Sequence, residues 1–202
     1  MVTPILPQDS REYDILAGAA ERVSDLPGLS CEIGLRLGGG SSVIMDKLSP
    51  GSTHIAIDPY GGIPYQHAQG ESANGMYPNS MRDEALPNLY MFASERGINF
   101  LFFCMTDSEF FRRFELGVPV YANGVSSIVG EYRLVHIDGQ HSLYAVATAA
   151  SFFAPRMAKS GEIVFDDVSA YNHDPVDNML SVGHLFTRVA ITNHRAVYRR
   201  GI

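Results

Sequence analysis

The segment from Leu29 to Asp58, LSCEIGLRLGGGSSVIMDKLSPGSTHIAID, restricts the fold more than any other part of the chain. LSCEIG is a short apolar run bounded by glycines, as a buried strand is. SSVIMDKL has helical spacing behind a serine cap, and HIAID is a second apolar run after the breaker Ser49-Pro50-Gly51. Two strands joined through a helix lie parallel, because a parallel pair needs a long crossover. The chain then repeats this alternation. INFLFFCM, YRLVHID and EIVFDDV read as further strands. MRDEALPNLYMFASERG, SEFFRRFE behind a Ser108 cap, and HSLYAVATAASFFAPRMAK, stopped by Gly161, read as helices. A helix near 175–186 precedes TRVAI and RAVYRR, which flank Thr192-Asn193-His194 as an antiparallel hairpin. The class is therefore α/β, a mostly parallel sheet closed by a C-terminal antiparallel hairpin.

At 202 residues the chain is expected to form a single domain, 1–202, that supplies both binding and chemistry. Its N-terminal helical segment, 1–28, carries a stripe of Tyr13, Leu16, Ala20 and Val23 behind a cap at Asp9 or Ser10. Residues 59–80 lack periodicity and are expected to form a lid or substrate loop, with Tyr60, Tyr65 and Tyr77 as an aromatic cover. A second irregular stretch covers 117–130. Charge excludes one class of partner: the net charge is -7, with two lysines and thirteen scattered arginines, so no basic footprint for nucleic acid exists. No apolar run is long enough to span a bilayer, which predicts a soluble cytoplasmic protein. Cys31 and Cys104 are expected to be reduced core residues, and a homo-oligomer is left open.

The turn Glu32-Ile33-Gly34-Leu35-Arg36-Leu37-Gly38-Gly39-Gly40 follows the first strand, where parallel sheets bind ligands against helix N-termini. Its glycines, Gly34, Gly38 and Gly39 among them, admit a close backbone approach, and Ser41 opens the helix. Glu32 would repel a pyrophosphate but attract a ligand with an amino group. Asp58 ends the second strand, where a carboxylate can accept the hydroxyls of a ribose. Together they favour S-adenosylmethionine over a dinucleotide. Asp107 and Ser108, after the third strand, are candidates for the adenine edge, although Ser108 serves equally as a helix cap.

On these residues the chain resembles a family. CEIGLRLGGGSSVIMDKLSPGSTHIAID looks like the first two motifs of class I methyltransferases, particularly the catechol-type O-methyltransferases. VHIDGQH and IVFDDV resemble the paired acidic motifs of that group and of the macrocin type, which methylates sugar hydroxyls. The resemblance implies a Rossmann-like fold with a seven-stranded sheet and helices on both faces. It also implies cofactor contacts at Glu32, Gly34, Gly38 and Asp58, and a divalent metal at Asp138, Asp166 and Asp167. Residues 59–97 depart from the pattern.

Read for their chemistry, Asp138, Asp166 and Asp167 end adjacent strands, and three clustered carboxylates call for a cation. An all-oxygen set suits Mg²⁺ better than zinc; the alternative is that Asp166 caps a turn and Asp167 is solvated. His141 lies three residues past Asp138 and is a candidate base, with Asp138 a second catalytic candidate; alternatively His141 is a water-exposed neighbour of a helix cap. Tyr171, Asn172 and His173 are candidates for the acceptor pocket, and His136, Phe110 and Phe111 for the core. The expected activity is Mg²⁺-assisted O-methylation of a small hydroxylated acceptor. The alternatives are metal-independent transfer to nitrogen, carbon or sulfur, a non-catalytic nucleoside-binding module, and an NAD-dependent oxidoreductase.

Overall fold

Helix α1 (Tyr13–Arg22) begins behind Glu12, which adopts a left-handed φ of 57° and gives no side-chain cap. The expected Ser10 cap is absent because the Ser10 hydroxyl donates instead to Oδ2 of Asp166, over 2.7 Å. Asp9, the other candidate, lies outside the described residues, which in this computed structural model are 6, 10–68, 71–73, 75–122 and 124–201. Strand β1 (Leu29–Ile33) is buried throughout and feeds α2 (Gly39–Lys47). That helix starts behind Gly38 rather than behind a serine, so Ser41 and Ser42 are inside it. Strand β2 (Thr53–Ile57) completes the crossover.

Within 59–80, the described residues include regular structure that composition did not suggest. Strands β3 (Tyr65–Ala68) and β4 (Glu71–Ala73) pair antiparallel in it, and α3 (Asn79–Arg96) already starts at its end. After β5 (Asn99–Phe103) comes α4 (Asp107–Arg113), capped by Thr106 Oγ1, which accepts from Glu109 N; Ser108 is not the cap. The second irregular stretch is also a hairpin, β6 (Val118–Ala122) with β7 (Val125–Val129). Strand β8 (Tyr132–Ile137) leads to α5 (Leu143–Phe153), which ends before Pro155, and β9 (Met157–Phe165) begins well ahead of Gly161. Proline removes the N–H needed to continue the helix, so Gly161 is a strand residue and stops nothing. The helix expected near 175–186 is the short α6 (Asp174–Asn178) with a π-turn over Met179–Gly183. Strands β10 (Phe186–Ile191) and β11 (Ala196–Arg200) form the terminal hairpin.

Seven strands make one sheet in the order β10-β11-β9-β8-β1-β2-β5. Strands β5, β2, β1, β8 and β9 are mutually parallel, and β11 is inserted antiparallel between β9 and β10. Alternation along the strands divides the core. Cys31, Ile55, Val135 and Ile163 pack with Phe110, Val146 and Phe153 of α4 and α5. On the opposite face, Ala56, Leu134 and Val164 pack with Leu16, Ile44 and Leu89 of α1, α2 and α3. Cys31 is buried as expected, but Cys104 is exposed just past β5. Among the described residues no helix is long and apolar enough to cross a membrane.

Candidate active site

The central strands end on a common rim, and the ladder runs one residue beyond them. Asp138 N donates to Ile33 O (2.9 Å) and Asp166 N to Ile137 O (3.0 Å), which sets the two carboxylates side by side. A cavity of about 410 Å³ lies over this rim, and Glu32, Gly34, Asp58, Asp107, Asp138, His141, Asp166 and Asp167 all line it. The fold thus brings together eight residues chosen from five separate stretches of sequence. Gly38, Gly39, Ser41 and Ser108 are not among the lining residues. Gly38 turns the chain into α2 with φ 87°, Ser41 is fully buried beneath the turn, and Ser108 is exposed on α4.

Glycine is required at Gly34 by backbone geometry. Its φ is 87°, and a Cβ there would collide with the carbonyl of Asp138. Asp58 holds the turn from the other side: Oδ2 accepts from Leu35 N (2.9 Å) and Arg36 N (3.1 Å), and Oδ1 from Tyr60 N (2.8 Å). Burial pushes the Asp58 carboxyl pKa up, against the pull of these N–H groups. Glu32 is similarly engaged. Its Oε1 accepts from His136 Nδ1 over 2.8 Å, and its Oε2 accepts from the Ser41 hydroxyl. It faces the cavity with both oxygens already hydrogen-bonded.

Tyr65 and Tyr77 line the cavity from the β3–β4 side, their rings 5.0 Å apart and their hydroxyls linked at 3.0 Å. Tyr60 also lines it, but its hydroxyl donates to the Arg36 carbonyl over 2.5 Å, so it supports the turn. Tyr171, Asn172 and His173 do not line it; Tyr171 is buried with its hydroxyl against His173 Nδ1 (3.0 Å).

His141 is 5% exposed, not water-exposed as the alternative had it. Its Nε2 stands 3.8 Å from Asp138 Oδ1 and 3.6 Å from Asp167 Oδ2. Burial, then the charges of Asp166 and Glu32, push the Asp138 carboxyl pKa well above the usual range. Burial acts on Asp166 too, but the neighbouring Arg195 and the Ser10 hydroxyl hold its pKa below that range.

Donor atoms of His136, Asp138 and Asp166 lie within 4.8 Å of one another. Both ring nitrogens of His136 are occupied, however, by Glu32 and by Arg195 Nη1 at 2.9 Å. The oxygen side does suit a hard cation: Oδ1 of Asp166 is buried with no hydrogen-bond partner among the described residues, beside Asp138. Asp167, at a left-handed φ of 47°, sends its carboxylate toward the histidines instead, with Oδ1 3.9 Å from His194 Nδ1. Sequence reasoning missed four residues here: Ser10, Arg11, His194 and Arg195. The first three line the cavity, and Arg195 is buried beneath it. Nothing local marks Arg195, although it stands two positions from the buried Val197 and so falls on the same sheet face.

A family model described as a methyltransferase domain matches residues 31–168. A comparison with curated proteins gives no match. Solved structures share the fold at low identity. A protein from Corynebacterium glutamicum is 16% identical, with 98% of this chain and 84% of that chain covered and a TM-score of 0.63. TomG, an O-methyltransferase from Streptomyces achromogenes solved with S-adenosylmethionine, is 10% identical, with 98% and 83% covered and a TM-score of 0.58. CalS11, a calicheamicin methyltransferase, is 15% identical, with 94% and 79% covered and a TM-score of 0.58. The family match covers the glycine turn, Asp58 and the acidic rim, and the chain therefore belongs to the methyltransferase domain family, as a class I S-adenosylmethionine-dependent methyltransferase.

Proposed function

We propose that the chain methylates a hydroxyl of a small acceptor placed between the β3–β4 hairpin and the rim of Asp138, His141 and Asp167. The observation that carries this reading is His141 Nε2, which lines the cavity between two carboxylates at 3.6 and 3.8 Å. S-adenosylmethionine supplies an electrophilic methyl group on sulfur. Transfer forms the oxygen–carbon bond as the carbon–sulfur bond breaks; the electron pair goes to sulfur and the hydroxyl proton to His141. The imidazolium then sits between Asp138 and Asp167, which favour its charge. Tyr65 and Tyr77 shield the reacting atoms from water on the hairpin side. That TomG is named an O-methyltransferase supports oxygen as the acceptor atom. Glu32, Gly34 and Asp58 set the cofactor side, and Asp107 faces the same cavity.

Asp138 and Asp166 would hold Mg²⁺ or a similar hard cation, with Asp167 turned instead toward His141 and His194; the ion would lower the pKa of the acceptor hydroxyl. One observation favours a second, metal-independent reading, in which the acceptor atom can also be nitrogen, carbon or sulfur. Asp166 already has a buried cation beside it, Arg195, at 3.3 Å. Release of S-adenosylhomocysteine, measured against a panel of small phenols, sugars and amines, tests both. Under the first reading turnover of a hydroxylated compound stops on exhaustive chelation and returns with Mg²⁺. Turnover that survives chelation and Asp138→Asn selects the second.

A further inference from the structure

Strand alternation places a row of polar side chains on one face of the sheet, beneath the cofactor turn. Ser30 and Glu32 come from β1, His54 from β2 and His136 from β8, with Ser30 paired to His54 and Glu32 to His136 across the strands. The row reaches the rim at Asp166, and the chain just ahead of β11 adds Arg195, which is fully buried. Arginine only donates, so its bonds have one direction. Nη1 donates to His136 Nε2 (2.9 Å), and Nη2 donates to Asp166 Oδ2 (3.3 Å) and to Ser10 Oγ (3.2 Å). Nε donates to the Arg11 carbonyl (2.9 Å). With Nε2 an acceptor, neutral His136 carries its proton on Nδ1 and donates it to Glu32 Oε1.

We infer that Arg195 is a positioning residue for the cofactor. Through His136 it fixes Glu32 under the glycine turn, while its other nitrogen holds Asp166 at the acidic rim. One guanidinium thereby sets the floor of both halves of the cavity. A burial this complete is costly for a charge unless each N–H finds a partner, and the partners it has found include Asp166 and the histidine that orients Glu32. The inference rests on the cavity being the S-adenosylmethionine site.

The probe is S-adenosylhomocysteine, titrated by calorimetry into wild-type protein, Arg195→Met and Arg195→Lys, with ¹⁵N spectra of the histidine rings at one fixed pH. Arg195→Met is expected to bind about tenfold more weakly or worse, and His136 to leave its single Nδ1–H tautomer. Arg195→Lys keeps the cation but not the fork that serves His136 and Asp166 together, so it recovers part of the loss. Folded Arg195→Met that binds as wild type, with His136 still on the Nδ1–H tautomer, would make Arg195 a packing residue only. If that variant does not fold, Arg195→Lys and the wild-type spectrum decide: unchanged affinity, or His136 protonated on Nε2 in the wild type, overturns the inference. Wild-type protein that fails to bind the probe would instead sink the cofactor reading of the cavity.

Discussion

Gly40 has no room for a side chain, because Oε1 of Glu32 occupies the place where its Cβ would stand. Helical residues normally gain from a glycine-to-alanine change, so here packing opposes propensity. Gly40→Ala should displace Glu32 from His136 and Ser41 and cost about 1–3 kcal/mol of stability. Urea titration reads the loss, and calorimetry should show weaker S-adenosylhomocysteine binding. An alanine variant as stable as wild type would mean that Glu32 moves aside without consequence.

His141→Gln should cut turnover by about 10²-fold or more, while S-adenosylhomocysteine affinity stays within a few-fold. Product release over time, compared with calorimetry on the same preparation, separates the two. A variant that keeps wild-type turnover would remove His141 from the proton-transfer step.

His54 gives the protein an acid-sensitive side. It is fully buried and neutral: Nε2 donates to Ser41 Oγ (2.8 Å), and Nδ1 accepts from Ser30 Oγ (2.8 Å). Burial lowers its pKa from 6.5 to about 3. Between those two values the unfolded chain binds a proton that the folded chain does not. Stability from this group is therefore complete above pH 6.5 and falls as pH drops toward 3, by roughly 1 kcal/mol per pH unit. Chemical denaturation across that range should show a shallower acid slope for His54→Gln than for wild type. Equal slopes would assign the effect to other groups.

Glu162 is a structural clamp away from the cavity. Its buried carboxylate accepts from Arg22 Nε and Nη2 (2.9 and 2.8 Å) and from Arg199 Nε and Nη2 (2.8 and 2.7 Å), joining α1 to β9 and β11. Both arginines reach solvent, so Glu162→Ala should cost about 3 kcal/mol and no more. Affinity for S-adenosylhomocysteine should be unchanged in the fraction that remains folded. A large change in affinity would show that the clamp shapes the site.

Much of the fold can be read from local pattern. Leu29–Ile33 and Tyr132–Ile137 are apolar runs of strand length with clear stops, and the glycine turn between β1 and α2 has one plausible role. The hairpins at 65–73 and 118–129 escaped notice for a physical reason. Both are two-stranded ribbons outside the main sheet, and in the second only Val118 and Val120 of β6 face the core while β7 is mostly exposed, too short an alternation to mark a strand pair. The expected serine caps of α1, α2 and α4 fail because Ser10, Ser41 and Ser108 direct their hydroxyls to the carboxylates of Asp166, Glu32 and Asp107, choices a sequence does not rank.

The sequence by itself determined that Glu32 lies at the end of a strand and Asp58, Asp138 and Asp166 just past theirs, so that they meet at one rim, since parallel strands present their carboxyl ends together. Tertiary structure alone decided what surrounds them. The β10–β11 hairpin was legible, but not the insertion of β11 between β9 and β10, which carries Arg195 under the rim. Pairing across a sheet is a long-range choice made by the whole core, and no window of sequence around Arg195 contains Glu32, His136 or Asp166. Asp167 shows the same limit on a smaller scale. Its neighbour's side chain turns inward to Arg195, while its own left-handed backbone sends the carboxylate out toward His141 and His194.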